Sequence, residues 1–338
     1  MSTPKTYKAA FIEKANGPFV IKDVEYKSPK EGQIVVKVLA SGVCHSDSFV
    51  VEQGMPTGLP RVPGHEIAGK VAEVPPTEKR WKVGDYVGSG WHGGHCFTCG
   101  QCTRGDFVTC ENENINGIIT DGGHAEYVTL RTEAVCALPE GIDPAEAAPL
   151  LCAGVTTFNS LRGMNVHPGD VVAVQGLGGL GHLAVQWGNK MGFKVVALSG
   201  SASKKELADK LGAHVYVDGS KEDQAKALQE LGGAKVIVCT APNNEIINKL
   251  VTGLAPNGQL LVLALSADLT VPVAPLITKR LAVRGWPSGS AADSEDTVRF
   301  AQATGVKTMI QTFPLEKIQD AYDAMMNGSA RFRSVVTF

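Results

Sequence analysis

The decisive stretch of sequence is residues 171–181, which read VVAVQGLGGLG. A strand-like apolar run, Val171 to Val174, passes directly into a turn with the pattern G-x-G-x-x-G, and a helical stretch begins at His182. This order suits a dinucleotide, because the turn lets the backbone approach a pyrophosphate and the helix N-terminus aims N–H groups at it. An ordinary glycine-rich turn is the alternative. The predicted cofactor-binding residues of the turn are Gly176, Gly178, Gly179, Leu180 and Gly181.

Strand-like and helix-like stretches alternate from about residue 155 to residue 285. The strand-like runs are Val171–Val174, Val195–Leu198, Val215–Val217, Val236–Val238 and Leu260–Leu265. Such alternation predicts a parallel, doubly wound sheet of the Rossmann type. The first 150 residues instead read as β-rich, with short apolar runs separated by Gly and Pro. We therefore predict an α/β protein with a β-rich domain at residues 1–154 and 288–338, and a Rossmann domain at residues 155–287.

The second strand of the alternating region ends without a carboxylate. Sites for NAD usually place Asp or Glu there, where it binds the ribose 2′-hydroxyl. Here Ser199, Ser201, Lys204 and Lys205 follow the strand. Because hydroxyl donors and positive charge suit a 2′-phosphate, we predict a preference for NADP(H), with NAD(H) as the alternative. The two lysines could instead be solvated residues on the first turn of the next helix.

Four cysteines, Cys96, Cys99, Cys102 and Cys110, fall within one short stretch. Four thiolates at this spacing can close a tetrahedral shell around zinc, and a closed shell leaves no position for a substrate. We therefore predict a structural zinc in a lobe at about residues 92–112. An iron–sulfur cluster is the rival interpretation, since four thiolates also bind that group. Unpaired core cysteines are a further alternative.

Three other segments carry metal-binding residue types beside apolar stretches, and they contribute Cys44, His65 and Cys152. Taken singly, His65 could be a core histidine and Cys152 a small buried residue, as free cysteines often are. Taken together, two thiolates and an imidazole can hold a catalytic zinc that keeps its fourth position open. Asp47 and Glu66 add carboxylates that would tune the site.

Composition limits the partners of this chain of 338 residues. It has 32 basic and 34 acidic residues, for a formal charge of -2, so no basic field would attract a nucleic acid. We find no signal-like N-terminal segment and no apolar run near the ~20 residues needed to cross a bilayer. We therefore expect a cytoplasmic protein without nucleic-acid or membrane partners. In that reducing compartment, clustered thiols are expected to bind metal rather than form disulfides.

Over essentially its full length, the chain resembles the zinc-dependent medium-chain alcohol dehydrogenases. The motifs that carry the resemblance occur in the family's order: Gly-Val-Cys44-His-Ser-Asp, Gly-His65-Glu, the four-cysteine lobe, Leu-Cys152-Ala-Gly and the glycine-rich turn. The resemblance implies a GroES-like fold for the first domain. It also implies that Cys44, His65 and Cys152 bind the catalytic zinc.

The resemblance assigns further roles around this zinc. Glu66 would serve as a transient fourth ligand, and Asp47 would orient His65, as metal-bound imidazoles generally require. Ser46 would hydrogen-bond the alcohol oxygen and begin the proton path. The residues assigned to the phosphate side of the cofactor are His45 and Arg333.

Two positions depart from the family pattern. Where many members carry a histidine that ends the proton relay, this chain has Phe49, which cannot titrate, so proton release would use ribose hydroxyls and water, or another group that the sequence does not identify. Ser199 replaces the usual acidic residue. For the substrate pocket we expect Trp91 and Met55, whose flexible side chain would allow a wide apolar pocket. Trp286 is a third candidate, with a core role as its alternative.

Together these features predict reversible hydride transfer between a primary alcohol or aldehyde and NADP(H). Zinc would act as the Lewis acid and the cofactor would carry the redox chemistry. The alternatives are an NAD(H)-preferring enzyme, a related zinc polyol dehydrogenase, and a zinc-ribbon binding module. We expect two zinc ions per chain. By analogy we also expect a homodimer or homotetramer, with edge strands around residues 260–273 pairing between subunits.

Overall fold

The structure is a computed structural model that describes residues 3–55 and 58–338. The chain divides into two compact units. Unit 1 comprises Met1–Val155 and Ser288–Phe338, and unit 2 comprises Thr156–Pro287. None of the described helices combines the length and the apolar character that crossing a membrane requires.

The strands are numbered in chain order. The first nine are β1 (Thr6–Ile12), β2 (Phe19–Glu25), β3 (Gln33–Val43), β4 (Ile67–Glu73), β5 (Tyr86–Ser89), β6 (His92–Gly94), β7 (Asn114–Ile115), β8 (Tyr127–Arg131) and β9 (Cys136–Ala137). The next six are β10 (Val171–Gln175), β11 (Lys194–Ser199), β12 (Val215–Asp218), β13 (Ala234–Cys239), β14 (Leu254–Val262) and β15 (Ala282–Gly285). The last two are β16 (Ile310–Pro314) and β17 (Arg333–Thr337).

The α-helices are likewise numbered in chain order. They are α1 (Ser48–Val51), α2 (Pro144–Ala147), α3 (Ala153–Arg162), α4 (Gly181–Lys190), α5 (Lys205–Leu211), α6 (Gln224–Glu230), α7 (Asn244–Leu250), α8 (Val273–Thr278), α9 (Ala291–Thr304) and α10 (Ile318–Met326).

Unit 2 is built on a six-stranded sheet with the order β12-β11-β10-β13-β14-β15. Every neighbouring pair is parallel. Because strands of such sheets are covered on both faces, their sequences are almost continuously apolar. Val196, Ile237 and Leu260 from these strands pack with Leu228 and Leu250 from α6 and α7. The predicted doubly wound parallel sheet is thereby confirmed, and its strand order is that of a dinucleotide-binding fold.

One strand of this sheet lies earlier in the chain than predicted. β14 ends at Val262, whereas the apolar run suggested a strand to Leu265, which is 79% exposed. The strand also starts before Pro256-Asn-Gly, residues that usually mark a turn. A register shift between Ala234 and Val236 on the neighbouring strand accommodates them, and Asn257 adopts a positive φ of 58°. Such a β-bulge allows turn residues to lie inside a strand.

Unit 1 is organised by a seven-stranded sheet with the order β16-β17-β3-β4-β5-β9, in which β8 also pairs with β3. β3 forms antiparallel ladders with β17, β4 and β8. Val36, Ile67, Val87 and Leu130 form part of the buried core on these strands. The β-rich prediction for this region is confirmed. Since β3, β4 and β17 are adjacent, the residues at their ends are brought close together.

The three motif glycines of the turn between β10 and α4 differ in how tightly they are packed. Gly176 has a φ of 89°, and a Cβ there would lie 2.8 Å from the Cβ of Ala241. A Cβ on Gly181 would overlap the carbonyl oxygen of Gly176. Gly178, in contrast, faces open space. Packing therefore requires glycine at the first and third positions, whereas the second leaves room at the surface of the turn.

We expect Gly181→Ala to destabilise unit 2, because the added methyl group overlaps backbone. Overpacking costs about 1–3 kcal/mol, which corresponds to a fall in melting temperature of roughly 3–10 °C for a unit of this size. Gly178→Ala is the matched control and should leave the melting temperature within about 2 °C. Differential scanning calorimetry of both variants measures this, and equal melting temperatures would contradict the packing argument.

Candidate active site

Cys44 lies where β3 ends and the short 3₁₀ turn His45–Asp47 begins. The backbone N–H of Cys44 donates to Oδ2 of Asp47 at 2.9 Å. The N–H of Asp47 donates in turn to the carbonyl of Cys44 at 3.0 Å. These reciprocal bonds fix the turn, and they hold the buried Cys44 and Asp47 at a constant separation.

His65 and Glu66 stand directly ahead of β4, next to β3. Gly42 of β3 has no side chain, and a Cβ there would overlap the carboxyl group of Glu66. The glycine therefore lets Glu66 lie across β3. Cys152 follows the 3₁₀ turn Ala148–Leu151 and immediately precedes α3.

The structure brings Cys44, His65, Glu66 and Cys152 together. One ligating atom from each lies within 4.8 Å of the others, and the two Sγ atoms are 3.8 Å apart across 108 residues of sequence. Within the described residues, both ring nitrogens of His65 and Oε2 of Glu66 are buried without a hydrogen-bond partner, although Nδ1 of His65 lies 3.3 Å from Oδ1 of Asp47. Buried polar atoms normally have one. Two sulfurs, a ring nitrogen and a carboxylate oxygen thus converge, and this donor set suits zinc.

The charges of this cluster are partly compensated within unit 1. A contact from the thiol of Cys152, with a contribution from the His65 imidazole, holds the pKa of the Cys44 thiol well below its usual range, although burial opposes this. Burial raises the pKa of Glu66 to about 7, against the opposing charge of Arg333. The Arg333 side chain is 4% exposed and forms an ion pair with Glu66. Its contact with the cofactor stays a prediction.

Asp47 lies between two imidazoles. Its Oδ1 is 3.3 Å from Nδ1 of His65, and its Oδ2 is 3.4 Å from Nε2 of His124. Burial alone would raise the pKa of this carboxyl, but contacts with the two histidines hold it well below its usual range. The predicted orienting role of Asp47 fits these contacts. Sequence reasoning missed His124, because it belongs to no metal-binding spacing and lies in the connection between β7 and β8.

The predicted pocket residues of unit 1 share one apolar cluster. Phe49, Met55 and Trp91 pack there against the buried Ile118. The Trp91 ring meets the His65 ring edge-on with centroids 5.1 Å apart, and Phe49 meets Trp91 at 6.5 Å. Apolar aromatic surface therefore borders the metal-binding cluster. Two predicted residues of the turn after Cys44 differ in exposure: Ser46 is half-buried and His45 is exposed.

The four cysteines of the lobe form a second group whose ligating atoms lie within 4.8 Å of one another. The Sγ atom of Cys110 is 3.6 Å from that of Cys96 and 3.9 Å from that of Cys99. Cys96 and Cys102 are 4.0 Å apart at sulfur. A tetrahedron with ~2.3 Å metal–sulfur bonds has edges of about 3.8 Å, whereas a disulfide requires ~2.05 Å. The spacing fits a four-coordinate metal.

The two lysines after β11 have different surroundings. Nζ of Lys204 donates to the carbonyl of Leu177, inside the glycine-rich turn, at 2.9 Å. Nζ of Lys205 pairs instead with Asp209 on its own helix at 2.7 Å. Lys204 therefore lies against the predicted pyrophosphate turn. Lys205 is an exposed helix residue, as the alternative interpretation of the two lysines expected.

The remaining predicted residues of unit 2 surround the same turn or belong to its core. Ser199 ends β11 and is half-buried, and Ser201 is exposed. The ring of Trp286 lies so close to Gly163 that no Cβ would fit between them. The half-buried Trp286 thus has a packing role, and its part in the substrate pocket stays a prediction. The residues that form the turn between β10 and α4 are Gly176, Gly178, Gly179 and Leu180, with Gly181 opening the helix.

Comparisons with known proteins agree with this architecture. Residues 30–140 match the alcohol dehydrogenase GroES-like domain, and residues 179–303 match the zinc-binding dehydrogenase family. The chain is 50% identical to alcohol dehydrogenase patD of Penicillium expansum over 336 residues, which cover 99% of each chain.

Solved structures resemble it over nearly the whole chain. A cinnamyl alcohol dehydrogenase of Sorghum bicolor gives a TM-score of 0.88 at 29% identity, and it covers 98% of both chains. The CAD from Helicobacter pylori complexed with NADP(H) gives 0.88 at 26% identity, again over 98% of both chains. The chain therefore belongs to the zinc-dependent medium-chain alcohol dehydrogenase family, and it is an oxidoreductase that uses zinc and a nicotinamide cofactor.

Proposed function

We propose that the protein catalyses reversible hydride transfer between a primary alcohol or its aldehyde and NADP(H), at a zinc site formed by Cys44, His65 and Cys152. The observation that carries the proposal is the convergence of their donor atoms with Glu66 in a buried cluster. The partnerless Nε2 of His65, within the described part of the chain, supports it further.

Each residue of the cluster has a proposed task. When bound, zinc supplies a Lewis acid that polarises the substrate oxygen. Cys44 and Cys152 would hold it as thiolates. The contact between the two sulfurs lowers the pKa of Cys44 and raises the pKa of Cys152, so the second thiolate would form as the metal binds and displaces its proton. His65 would offer Nε2, because its Nδ1 faces Asp47 at 3.3 Å. Glu66 is proposed as the transient fourth ligand.

Ser46 is proposed to hydrogen-bond the substrate oxygen and to take part in moving its proton. It is half-buried and lies two residues after Cys44 in the turn that Asp47 fixes. Phe49 cannot continue a proton relay, because its ring has no titratable group. We infer that protons leave through ribose hydroxyls and water, while Phe49 keeps this side of the pocket apolar.

The proposed substrates are apolar primary alcohols and aldehydes, aliphatic or aromatic. The support is the cluster of Phe49, Met55 and Trp91, whose aromatic members border His65. Apolar walls favour such substrates over polyols, whose hydroxyl groups would lose hydrogen bonds with water on entering the pocket.

A structural zinc is proposed for the four-cysteine lobe. Sulfur separations of 3.6 to 4.0 Å fit a closed tetrahedral shell. The lobe is rich in turns, so a bound metal would supply much of its folding free energy. We further propose the reducing cytosol as the compartment, because it would keep all these thiols available.

Replacement of Cys152 by serine tests the proposed site. Wild-type protein should hold two zinc ions per chain, and Cys152→Ser should hold about one. Loss of several kcal/mol of transition-state stabilisation predicts a fall in kcat/KM of about 10³-fold. Cys136→Ser is the control, since Cys136 is a buried cysteine of β9 outside both groups. Inductively coupled plasma mass spectrometry measures the zinc content. The rate of NADPH oxidation with a panel of aldehydes, with and without chelator, measures the activity.

Three outcomes would contradict the proposed function. Retention of both zinc ions and of full activity by Cys152→Ser would remove the cluster from catalysis. Activity confined to polyols or secondary alcohols would support the related polyol dehydrogenase. A single zinc per wild-type chain would contradict the two-site arrangement.

The proposed NADP(H) preference is tested at Lys204. We propose that Lys204 donates a charge-assisted hydrogen bond to the 2′-phosphate of NADPH. Losing such a bond costs about 1.5–3 kcal/mol, so Lys204→Ala should lower kcat/KM for NADPH roughly 10- to 100-fold. The value for NADH should stay within about twofold. Lys205→Ala is the matched control, because Lys205 pairs with Asp209, and neither cofactor should be affected. A wild-type enzyme with a strong NADH preference would overturn this proposal.

We also propose that the protein is a homo-oligomer that associates through β15 of unit 2. The edge expected around residues 260–273 is wrong, because β14 pairs with both β13 and β15. β15 is an outer strand of the sheet instead, so one row of its backbone groups has no partner strand among the described residues. Exposed apolar side chains lie nearby, among them Val273, Ile277 and Val283. A second copy could pair with this edge and cover the apolar surface.

The association is tested with Ile277→Asp, which places a charge on a side chain that is 69% exposed. Light scattering should give a multimeric mass for wild type and a monomeric mass for the variant. Val83→Asp is the control, since Val83 in unit 1 is 59% exposed and should not affect assembly. A monomeric wild-type protein would contradict the proposal.

A further inference from the structure

His124 is a fully buried histidine that the proposed chemistry does not use. It lies between β7 and β8, and its relative exposure is 0%. Its Nδ1 lies 3.0 Å from Oγ of Ser41, and its Nε2 lies 3.4 Å from Oδ2 of Asp47. Both ring nitrogens therefore have partners, as buried polar groups require.

The hydrogen-bond partners determine which ring nitrogen of His124 donates and which accepts. An ionised carboxylate only accepts hydrogen bonds, so Nε2 of His124 donates to Asp47. Nδ1 is then the acceptor, and the hydroxyl of Ser41 donates to it. Asp47 uses its other oxygen toward Nδ1 of His65. A continuous series of contacts runs from Ser41 through His124 and Asp47 to Nδ1 of His65. Nε2 of His65 takes no part in this series.

At two glycine positions next to His124, the packing leaves no room for a side chain. Gly64 has a φ of 103°, and a Cβ there would lie 2.8 Å from both the backbone N and Nδ1 of His124. A Cβ on Gly123 would lie 2.9 Å from Oγ of Ser41. Glycine at these two positions allows the segment carrying His124 to lie directly against the segment carrying His65.

We propose that His124 is a positioning residue for the zinc site: it fixes the carboxylate of Asp47, which fixes the ring of His65. Asp47 accepts from the backbone N–H of Cys44 and faces two imidazoles, so His124 supplies one of its three anchors. Without it, the carboxylate is free to rotate away from His65. The inference rests on the proposed zinc site at Cys44, His65 and Cys152.

The competing explanation is that His124 only fills space. Its ring packs edge-on against Phe19, with centroids 6.1 Å apart, and a phenyl ring would fill the same volume. His124→Phe therefore separates the two roles, because it keeps the ring and removes both nitrogens. His124→Gln is the conservative variant, since its amide nitrogen can take the place of Nε2 and donate to Asp47.

The experiment measures the rate at which zinc passes from the protein to a chromogenic chelator. The phase that is missing in Cys152→Ser identifies release from the Cys44, His65 and Cys152 site. Partners of metal-bound histidines typically contribute 10- to 100-fold to metal affinity or activity. We expect His124→Phe to accelerate this phase at least 10-fold, to lower kcat more than it changes KM, and to leave release from the four-cysteine lobe unchanged. His124→Gln should restore release to within about 1.5-fold of wild type.

Cobalt substitution provides the second readout. His124→Phe should change the visible absorption of the cobalt enzyme at the same site, whereas His124→Gln should resemble wild type. If His124→Phe does not fold, Ser41→Ala tests the same series of contacts, and we expect it to accelerate zinc release about threefold. Wild-type release rates and spectra in the folded variants would overturn the inference. A wild-type protein that lacks the Cys152-dependent phase would instead overturn the proposed function.

Discussion

Charge compensation in a buried pocket is the constraint on which the candidate active site of unit 1 depends. Asp47 and Glu66 are both fully buried, and an isolated carboxylate in such a place is very costly. Arg333 compensates Glu66, while backbone and imidazole N–H groups face Asp47. The thiolate state favoured at Cys44 adds further negative charge. These groups lie on or next to the adjacent strands β3, β4 and β17. The sheet therefore places the opposite charges side by side, and their attraction in turn stabilises this part of the sheet.

Features encoded by short spacing could be predicted from the sequence. The four-cysteine lobe and the glycine-rich turn are formed by residues that are close along the chain, so their spacing already limits their geometry. The Rossmann class followed from strands alternating with helices, and it is confirmed. Residue type alone suggests Cys44, His65 and Cys152 as a metal-binding group, but no local spacing links these residues, and their assignment to one zinc rests on the family resemblance. The structure brings them within contact distance, and their metal-binding roles stay proposals.

Features that arise only from tertiary contacts could not be predicted. His124 approaches Asp47 across 77 residues of sequence, and Arg333 approaches Glu66 across 267. No periodicity or motif relates such positions, and an isolated histidine beside a strand is usually an ordinary core residue. The start of β14 was missed for a different reason. Pro256-Asn-Gly has the composition of a turn, but a bulge places it inside the strand.

The two sulfur-rich groups also differ in the length of chain that each one closes. Cys96 and Cys110 are 14 residues apart, whereas Cys44 and Cys152 are 108 apart. The loop-closure relation (3/2)RT ln(108/14) makes the wider ring about 2 kcal/mol more costly in an unfolded chain. If both groups bind zinc as proposed, the lobe can close around its ion early in folding, whereas the dispersed group offers its donors only once unit 1 has folded. Under that proposal, zinc could enter the dispersed group after folding, because the folded unit already brings its donor atoms together.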